Sequence, residues 1–176
     1  MSYAQVDSPV GALTLVADGD ELIGVYFSNA ALVASPPLGW VHDERRLRPA
    51  AVQLAEYFAG QRTRFELPLA PRGTSFQRAV WAALLAIPYG ETTSYGELAR
   101  AIGKPTGSRA VGAANGRNPL SIVIPCHRVI GADGSMTGYG GEISRKRILL
   151  DHEARVLGIR PAARDRQLDL RIDATT

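Results

Sequence analysis

The chain has 176 residues, 45 % hydrophobic and 21 % charged, which suits one ordinary domain or two small ones and argues against disorder. A net charge of +3 permits contact with nucleic acid without requiring it. No apolar run is long enough to cross a bilayer and the N-terminal residues carry no secretory pattern, so a cytoplasmic protein without membrane contact is expected.

Residues 12–17 and 22–27 flank the turn Asp18-Gly19-Asp20 and predict a hairpin. A loop through Pro36, Pro37 and Gly39 leads to Leu47, Ala51, Leu54, Ala55 and Phe58, apolar at helical spacing up to Gly60. Residues 63–69 read as a further strand, closed by Pro68 and Pro71. Residues 1–72 therefore form a small strand–helix layer with a structural role.

Residues 73–158 change character. Phe76, Ala79, Val80, Ala83, Leu84 and Ile87 make an apolar stripe that Thr74 or Ser75 can cap and Pro88-Tyr89-Gly90 ends. A short helix over 94–102, the connection Gly103-Lys104-Pro105 and a second short helix over 106–115 have the pattern of a helix-turn-helix. Residues 121–124 read as a buried extended run cut by Pro125, and a glycine-rich loop covers 137–141. The last helix spans 144–157, followed by a polar tail over 159–176. The fold class is α/β (α+β), with the N-terminal layer followed by a mainly helical domain.

The one cysteine, Cys126, rules out an intramolecular disulfide, and with three histidines it leaves too few ligands for a Cys-rich zinc site. A lone thiol is either a core residue or a reagent. His127 and Arg128 follow it and Pro125 precedes it, and a thiol needs a base or a positive field to ionise. Neighbouring side chains of a strand point apart, so either the chain turns at Cys126 or a water bridges thiol and imidazole. Glu153 shares a helical face with Leu149 and Leu150, where a carboxylate needs a partner. It is either a helix-end group in solvent or the residue that orients His127. His152 lies about 100° round the helix and is expected to face outward. Residues 108–115 are poor in long side chains apart from Arg109, a surface for close approach with little base readout. Tyr95 and Tyr139 read as half-buried packing residues or catalysts, the latter flanked by Gly138, Gly140 and Gly141, whose amides can approach a ligand closely, and Asn118 can bridge the helix-turn-helix to the cysteine segment.

The run Ile124-Pro125-Cys126-His127-Arg128-Val129-Ile130 resembles the signature of the O6-alkylguanine-DNA alkyltransferases. Ser94-Tyr95-Gly96, Arg109-Ala110-Val111-Gly112, Asn118-Pro119, Gly138-Tyr139-Gly140-Gly141 and Lys146 through His152-Glu153 follow in that family's order and spacing. The resemblance covers residues 73–155 closely and the preceding layer loosely. Ser121 stands where some members carry a proline.

The resemblance implies single-turnover repair of duplex DNA. The alkyl group of O6-alkylguanine, with O4-methylthymine as a second substrate, moves to Cys126 without cofactor or metal. His127 is the base, acting through a water, Glu153 holds it, and Asn118 braces the turn between the DNA-binding helices and the cysteine. Tyr95 donates to the leaving guanine or crowds the phosphate. Ser94, Tyr95, Arg109, Ala110, Gly112 and Ala113 meet the minor groove with little sequence specificity, and Arg109 fills the gap left by the flipped base. Val129, Tyr139, Gly140, Gly141 and Lys146 line the substrate pocket. The protein is expected to be a monomer in solution that can act cooperatively on DNA. Two other readings remain. An alkyltransferase-like lesion sensor or helix-turn-helix regulator would lack the cysteine, which is present. A Cys–His hydrolase would need a base in direct reach of the sulfur, which adjacency in the chain disfavours.

Overall fold

The computed structural model describes residues 1–27, 37–136 and 143–159. Strands β1 (Ser2–Val6), β2 (Leu13–Asp18) and β3 (Glu21–Phe27) form an antiparallel meander, and β4 (Val41–His42) joins β1 in parallel, giving the order β3-β2-β1-β4. The expected hairpin is β2–β3, with Gly19 at φ 59° in its turn. Strands β1 and β4 are not visible in the sequence pattern. In β1 only Ala4 is fully buried, and two residues of β4 are too few to display a period.

Helix α1 (Glu44–Phe58) starts at Asp43, whose carboxylate accepts the Arg46 amide at 3.0 Å. It buries Leu47, Ala50, Leu54 and Tyr57. The stripe read from the sequence holds at Leu47 and Leu54, but Ala50 and Tyr57 point further inward than Ala51 and Phe58. Residues 63–69 are not the expected strand. Only Leu69 pairs, with Leu22 of β3. Pro68 and Pro71 lack amide donors, and the Gln53 amide of α1 bonds both the N–H and the C=O of Glu66, at 2.8 and 3.0 Å, in place of a ladder.

Helix α2 (Ser75–Leu85) opens with a capping box between Thr74 and Gln77 and buries Val80, Trp81 and Leu84. Trp81 Nε1 donates to the Ala114 carbonyl at 2.9 Å, which seats helix α4 (Ser108–Gly116) on α2. Helix α3 (Tyr95–Ala101) has its own capping box, Ser94 with Glu97. Its end is set by Gly103 at φ 70°, where the Gly103 and Lys104 amides reach the Arg100 and Ala99 carbonyls, at 3.0 and 2.8 Å. That glycine turns the chain so that α3 and α4 pack together. The short strands β5 (Thr93–Ser94) and β6 (Val129–Ile130) pair in parallel and tie the start of α3 to the residues after Cys126. Helix α5 (Ile143–Val156) closes the described chain and buries Lys146, Leu149 and Glu153.

The fold is α+β, as expected. One apolar core runs from the N-terminal sheet through α2, α4 and α5. The outer edge of β3 is closed twice by later segments. Leu22 meets residues 68–70, and Val25 meets the segment before the cysteine, through Val25 N to Pro119 O at 2.8 Å and Ser121 N to Val25 O at 3.2 Å. Among the described residues no helix is long and apolar enough to cross a membrane.

Candidate active site

The chain reaches Cys126 through two tight turns rather than the extended run expected over 121–124. Val123 N bonds Ser121 O at 2.9 Å around Ile122, which has φ 73°, and Cys126 N bonds Ile124 O at 2.8 Å around Pro125, with φ −80° and ψ 63°. Both are three-residue γ-turns. A β-branched residue at positive φ costs about 1–3 kcal/mol. The surroundings hold it there: Ile122 is fully buried and Ser121 is pinned to β3. Asn118 clasps the same stretch. Its Nδ2 donates to Ile124 O at 2.8 Å and its Oδ1 accepts from Leu120 N at 3.0 Å.

Cys126, His127 and Arg128 then form one turn of 3-10 helix, so the chain does turn at the cysteine. Cys126 is 4 % exposed. The Cys126 carbonyl accepts from Asn115 Nδ2 of α4 at 3.3 Å. His127 and Glu153 are wholly buried and joined, Nε2 to Oε1, at 2.8 Å. Glu153 is therefore not a solvated helix-end group. It also accepts from Tyr57 Oη at 2.9 Å, from Arg128 Nε and Nη2 at 3.0 and 2.9 Å, and from the Gly90 amide at 2.9 Å. Arg128 is anchored in turn by the Ile87 carbonyl at 2.7 Å and by the Tyr89 ring beneath its guanidinium.

This network decides the charges. Burial pushes the Glu153 carboxyl up, but hydrogen bonds and charge from His127 and Arg128 outweigh it and hold it at about 2. We assign the larger share to Arg128, whose charge is permanent. Burial pulls His127 below the ordinary imidazole value; the hydrogen bond and charge of Glu153 oppose this, and the Arg128 and Lys146 charges reinforce it. An ionised carboxylate can only accept, so the proton of neutral His127 sits on Nε2. Its Nδ1 is then a bare lone pair, buried and without a hydrogen-bond partner among the described residues. The residue that follows the cysteine thus carries a weak base whose tautomer is fixed.

Two further groups face the cysteine. Lys146 Nζ donates to the Val129 carbonyl at 2.6 Å. Burial lowers its ammonium to about 8, and the negative charge Cys126 carries when ionised works the other way. Tyr95, half-buried at the start of α3, is pushed up to about 12 by burial and by the charge of Cys126, so its hydroxyl stays protonated. On α4, Arg109, Ala110 and Ala113 are exposed while Val111, Ala114 and Asn115 face inward. Gly112 packs against the Tyr95 ring, where a Cβ would make ordinary contact at 3.6 Å. Ser94 caps α3 with its hydroxyl. Tyr139, Gly140 and Gly141 lie outside the described residues, as does Gly138.

His152 is not outward-facing. Its Nε2 lies 2.8 Å from the Tyr57 carbonyl and its ring packs on Tyr57 and Phe58. Sequence reasoning gives no role to Tyr57, Asn115 or the Gly90 amide, and treats Arg128 only as a neighbouring positive charge. For Tyr57 the sequence offers only its place three residues after Leu54, on the inward stripe, which marks burial but not what its hydroxyl meets.

The profile described as 6-O-methylguanine DNA methyltransferase, ribonuclease-like domain, matches residues 1–71, and that of the DNA binding domain of the same family matches residues 75–155. A methylated-DNA–protein-cysteine methyltransferase of Mycobacterium tuberculosis is 52 % identical over 151 residues, spanning 86 % of this chain and 91 % of its own. One of Methanosarcina acetivorans is 49 % identical over 153 residues, spanning 87 % and 98 %. The crystal structure of Mycobacterium tuberculosis OGT in complex with DNA superposes with a TM-score of 0.83 at 49 % identity, covering 89 % of this chain and 94 % of that one.

Proposed function

This chain belongs to the 6-O-methylguanine DNA methyltransferase family, and from that membership we infer that it repairs alkylated DNA by direct reversal, moving the alkyl group of O6-alkylguanine onto its own Cys126. The observation that carries the reading is the fixed tautomer of His127. Glu153 holds Nε2–H, which leaves the Nδ1 lone pair to act as a base on the residue that directly follows the one cysteine of the chain.

The chemistry is an in-line displacement at the alkyl carbon. His127 Nδ1 takes the thiol proton through a water, the sulfur forms a bond to carbon, and the bond from carbon to O6 breaks. Guanine leaves as an anion unless it gains a proton. Tyr95 is the donor in this reading, because its hydroxyl stays protonated beside Cys126 and is repaid by the proton held on His127. The Lys146 charge supports the thiolate. The product is a thioether, which nothing in the chain reverses, so each molecule acts once.

A thiol this buried meets only a base that has left the duplex, at a cost of a few kcal/mol. In the proposed complex the exposed small residues Ala110 and Ala113, with Gly112 and Ser94, approach the minor groove, and Arg109 takes the place of the everted base. A monomer binding with little sequence preference, cooperatively on long duplex, fits lesions that arise anywhere. O4-methylthymine presents a similar alkylated oxygen and is the second substrate. Asn118 holds the turn so that contact on α4 and position of the thiol stay in register.

The test is the intact mass of the protein after incubation with O6-methylguanine duplex. One adduct of about 14 Da, mapped to Cys126, is expected, and Cys126→Ala should bind the same duplex and gain no mass. An unmodified wild-type protein that still binds the lesion would replace this reading with that of a lesion sensor.

A further inference from the structure

Three donors converge on one oxygen. Glu153 Oε1 accepts from His127 Nε2 at 2.8 Å, from Tyr57 Oη at 2.9 Å and from Arg128 Nη2 at 2.9 Å. Arg128 and His127 belong to the cysteine turn, but Tyr57 is the last buried residue of α1 in the N-terminal layer. It is wholly buried, with Phe58 and Tyr89 edge-on to its ring and Phe65 tilted over it. Its main-chain carbonyl meets His152, the neighbour of Glu153 on α5. Both ends of Tyr57 are thus tied to consecutive residues of one helix, and its hydroxyl has Glu153 as its one hydrogen-bond partner among the described residues.

Fixing Glu153 does not require this bond. Arg128 reaches both carboxylate oxygens, and the Gly90 amide holds Oε2. What the phenol changes is charge. A hydrogen bond donated to a carboxylate oxygen draws off part of its negative charge, and less is left to stabilise a second donor. We propose that Tyr57 is a positioning residue of the transfer reaction, whose hydroxyl shares Glu153 Oε1 with His127 and so keeps the imidazole a weaker base than Glu153 alone would make it. The N-terminal layer thereby acts on the reactivity of the thiol through Glu153. A thiol that is spent in one reaction is better kept protonated until a base occupies the pocket, because a standing thiolate would be lost to any oxidant or electrophile that reached it.

The proposal rests on the alkyl-transfer reading and predicts a sign. The charged and titratable groups around the pair are Arg128 and Cys126 on the turn, Lys146 and His152 on α5, Tyr57 on α1, and Tyr89 and Tyr95 from the segments on either side of β5. Tyr57→Phe keeps the ring and leaves all the others in place. With the donor gone, the His127 midpoint, followed by NMR titration in a Cys126→Ser background, should rise by about half a pH unit. Transfer from free O6-benzylguanine at neutral pH should become about threefold faster, because half a unit of basicity is about a threefold change in proton occupancy. Glu153→Gln should move both quantities the opposite way. A merely structural Tyr57 would loosen Glu153, so Tyr57→Phe would then mimic Glu153→Gln, and that result, or an unchanged midpoint, overturns the proposal. If Tyr57→Phe folds poorly, a fluorinated tyrosine placed at position 57 alone supplies the converse. As the stronger donor it must lower the midpoint and slow transfer; no change, or the reverse, overturns the proposal. A wild-type protein inert toward both benzylguanine and methylated duplex would instead sink the alkyl-transfer reading itself.

Discussion

At the level of single residues, Glu153 shows how a carboxylate survives inside a core. Two protonatable neighbours, one permanent cation and one backbone amide take up its oxygens. Removing one partner of such a buried pair usually costs about 3–5 kcal/mol, because the other charge is stranded. Glu153→Gln keeps the shape and some of the hydrogen bonds but leaves Arg128 without a counter-charge, so a loss near the lower end of that range is expected, measured by denaturant unfolding. The same substitution removes the negative charge that favours a protonated His127. Thiolate formation at Cys126 should then require higher pH, and the pH–rate profile of alkyl transfer should move upward; a profile that stays in place would detach Glu153 from the reaction. The sequence made Glu153 conspicuous, a charge on an apolar stripe. It did not make Tyr57 conspicuous, because a tyrosine on a helix stripe looks the same whether its hydroxyl has work or not.

Among the elements, helices α2 and α3 were legible because each carries its own start or stop signal: Thr74 with Gln77, Ser94 with Glu97, Gly103 with its left-handed φ. What failed were segments whose conformation is imposed from outside. Residues 63–69 have strand-like composition, yet the Gln53 side chain and two prolines leave no ladder to join. Residues 121–124 are apolar enough for a strand, yet Asn118 and β3 fold them into a turn with Ile122 at positive φ. Strands β4, β5 and β6 are two residues each and exist only because a partner lies alongside. The small-residue face of α4 yields the prediction at this scale. Arg109 is exposed on that face, away from the cysteine turn. Arg109→Ala should slow repair of methylated duplex about tenfold or more, the loss of one charged contact of about 1.5–3 kcal/mol, and leave the rate with free O6-benzylguanine near that of the wild type. Equal loss with both substrates would remove its role in holding the base outside the stack.

For the molecule as a whole, the two halves are not independent layers. The edge of β3 is completed by residues before the cysteine, and α1 supplies a donor to the carboxylate that orients His127. The same network gives the fold an acid limit. Glu153 is held at about 2, below its ordinary 4.5, so its ionised form stabilises the folded state in full above about pH 4.5. That contribution is lost as pH falls from 4.5 towards 2, when protonation releases Arg128, His127 and Tyr57 together. Melting temperature should therefore fall across that window, and Glu153→Gln, already destabilised, should show a shallower acid slope. An equally steep slope in the variant would assign the acid limit to other carboxylates.

The sequence by itself determined the helices with capping residues, the β2–β3 hairpin and the family, because each is written in residues close together or in a spaced motif. Only the tertiary structure decided the turn at Ile122, the inward face of His152 and the three donors on one oxygen of Glu153. Those depend on which distant groups arrive within hydrogen-bond reach, and residues 96 positions apart along the chain, as Tyr57 and Glu153 are, leave no local pattern to announce that they meet.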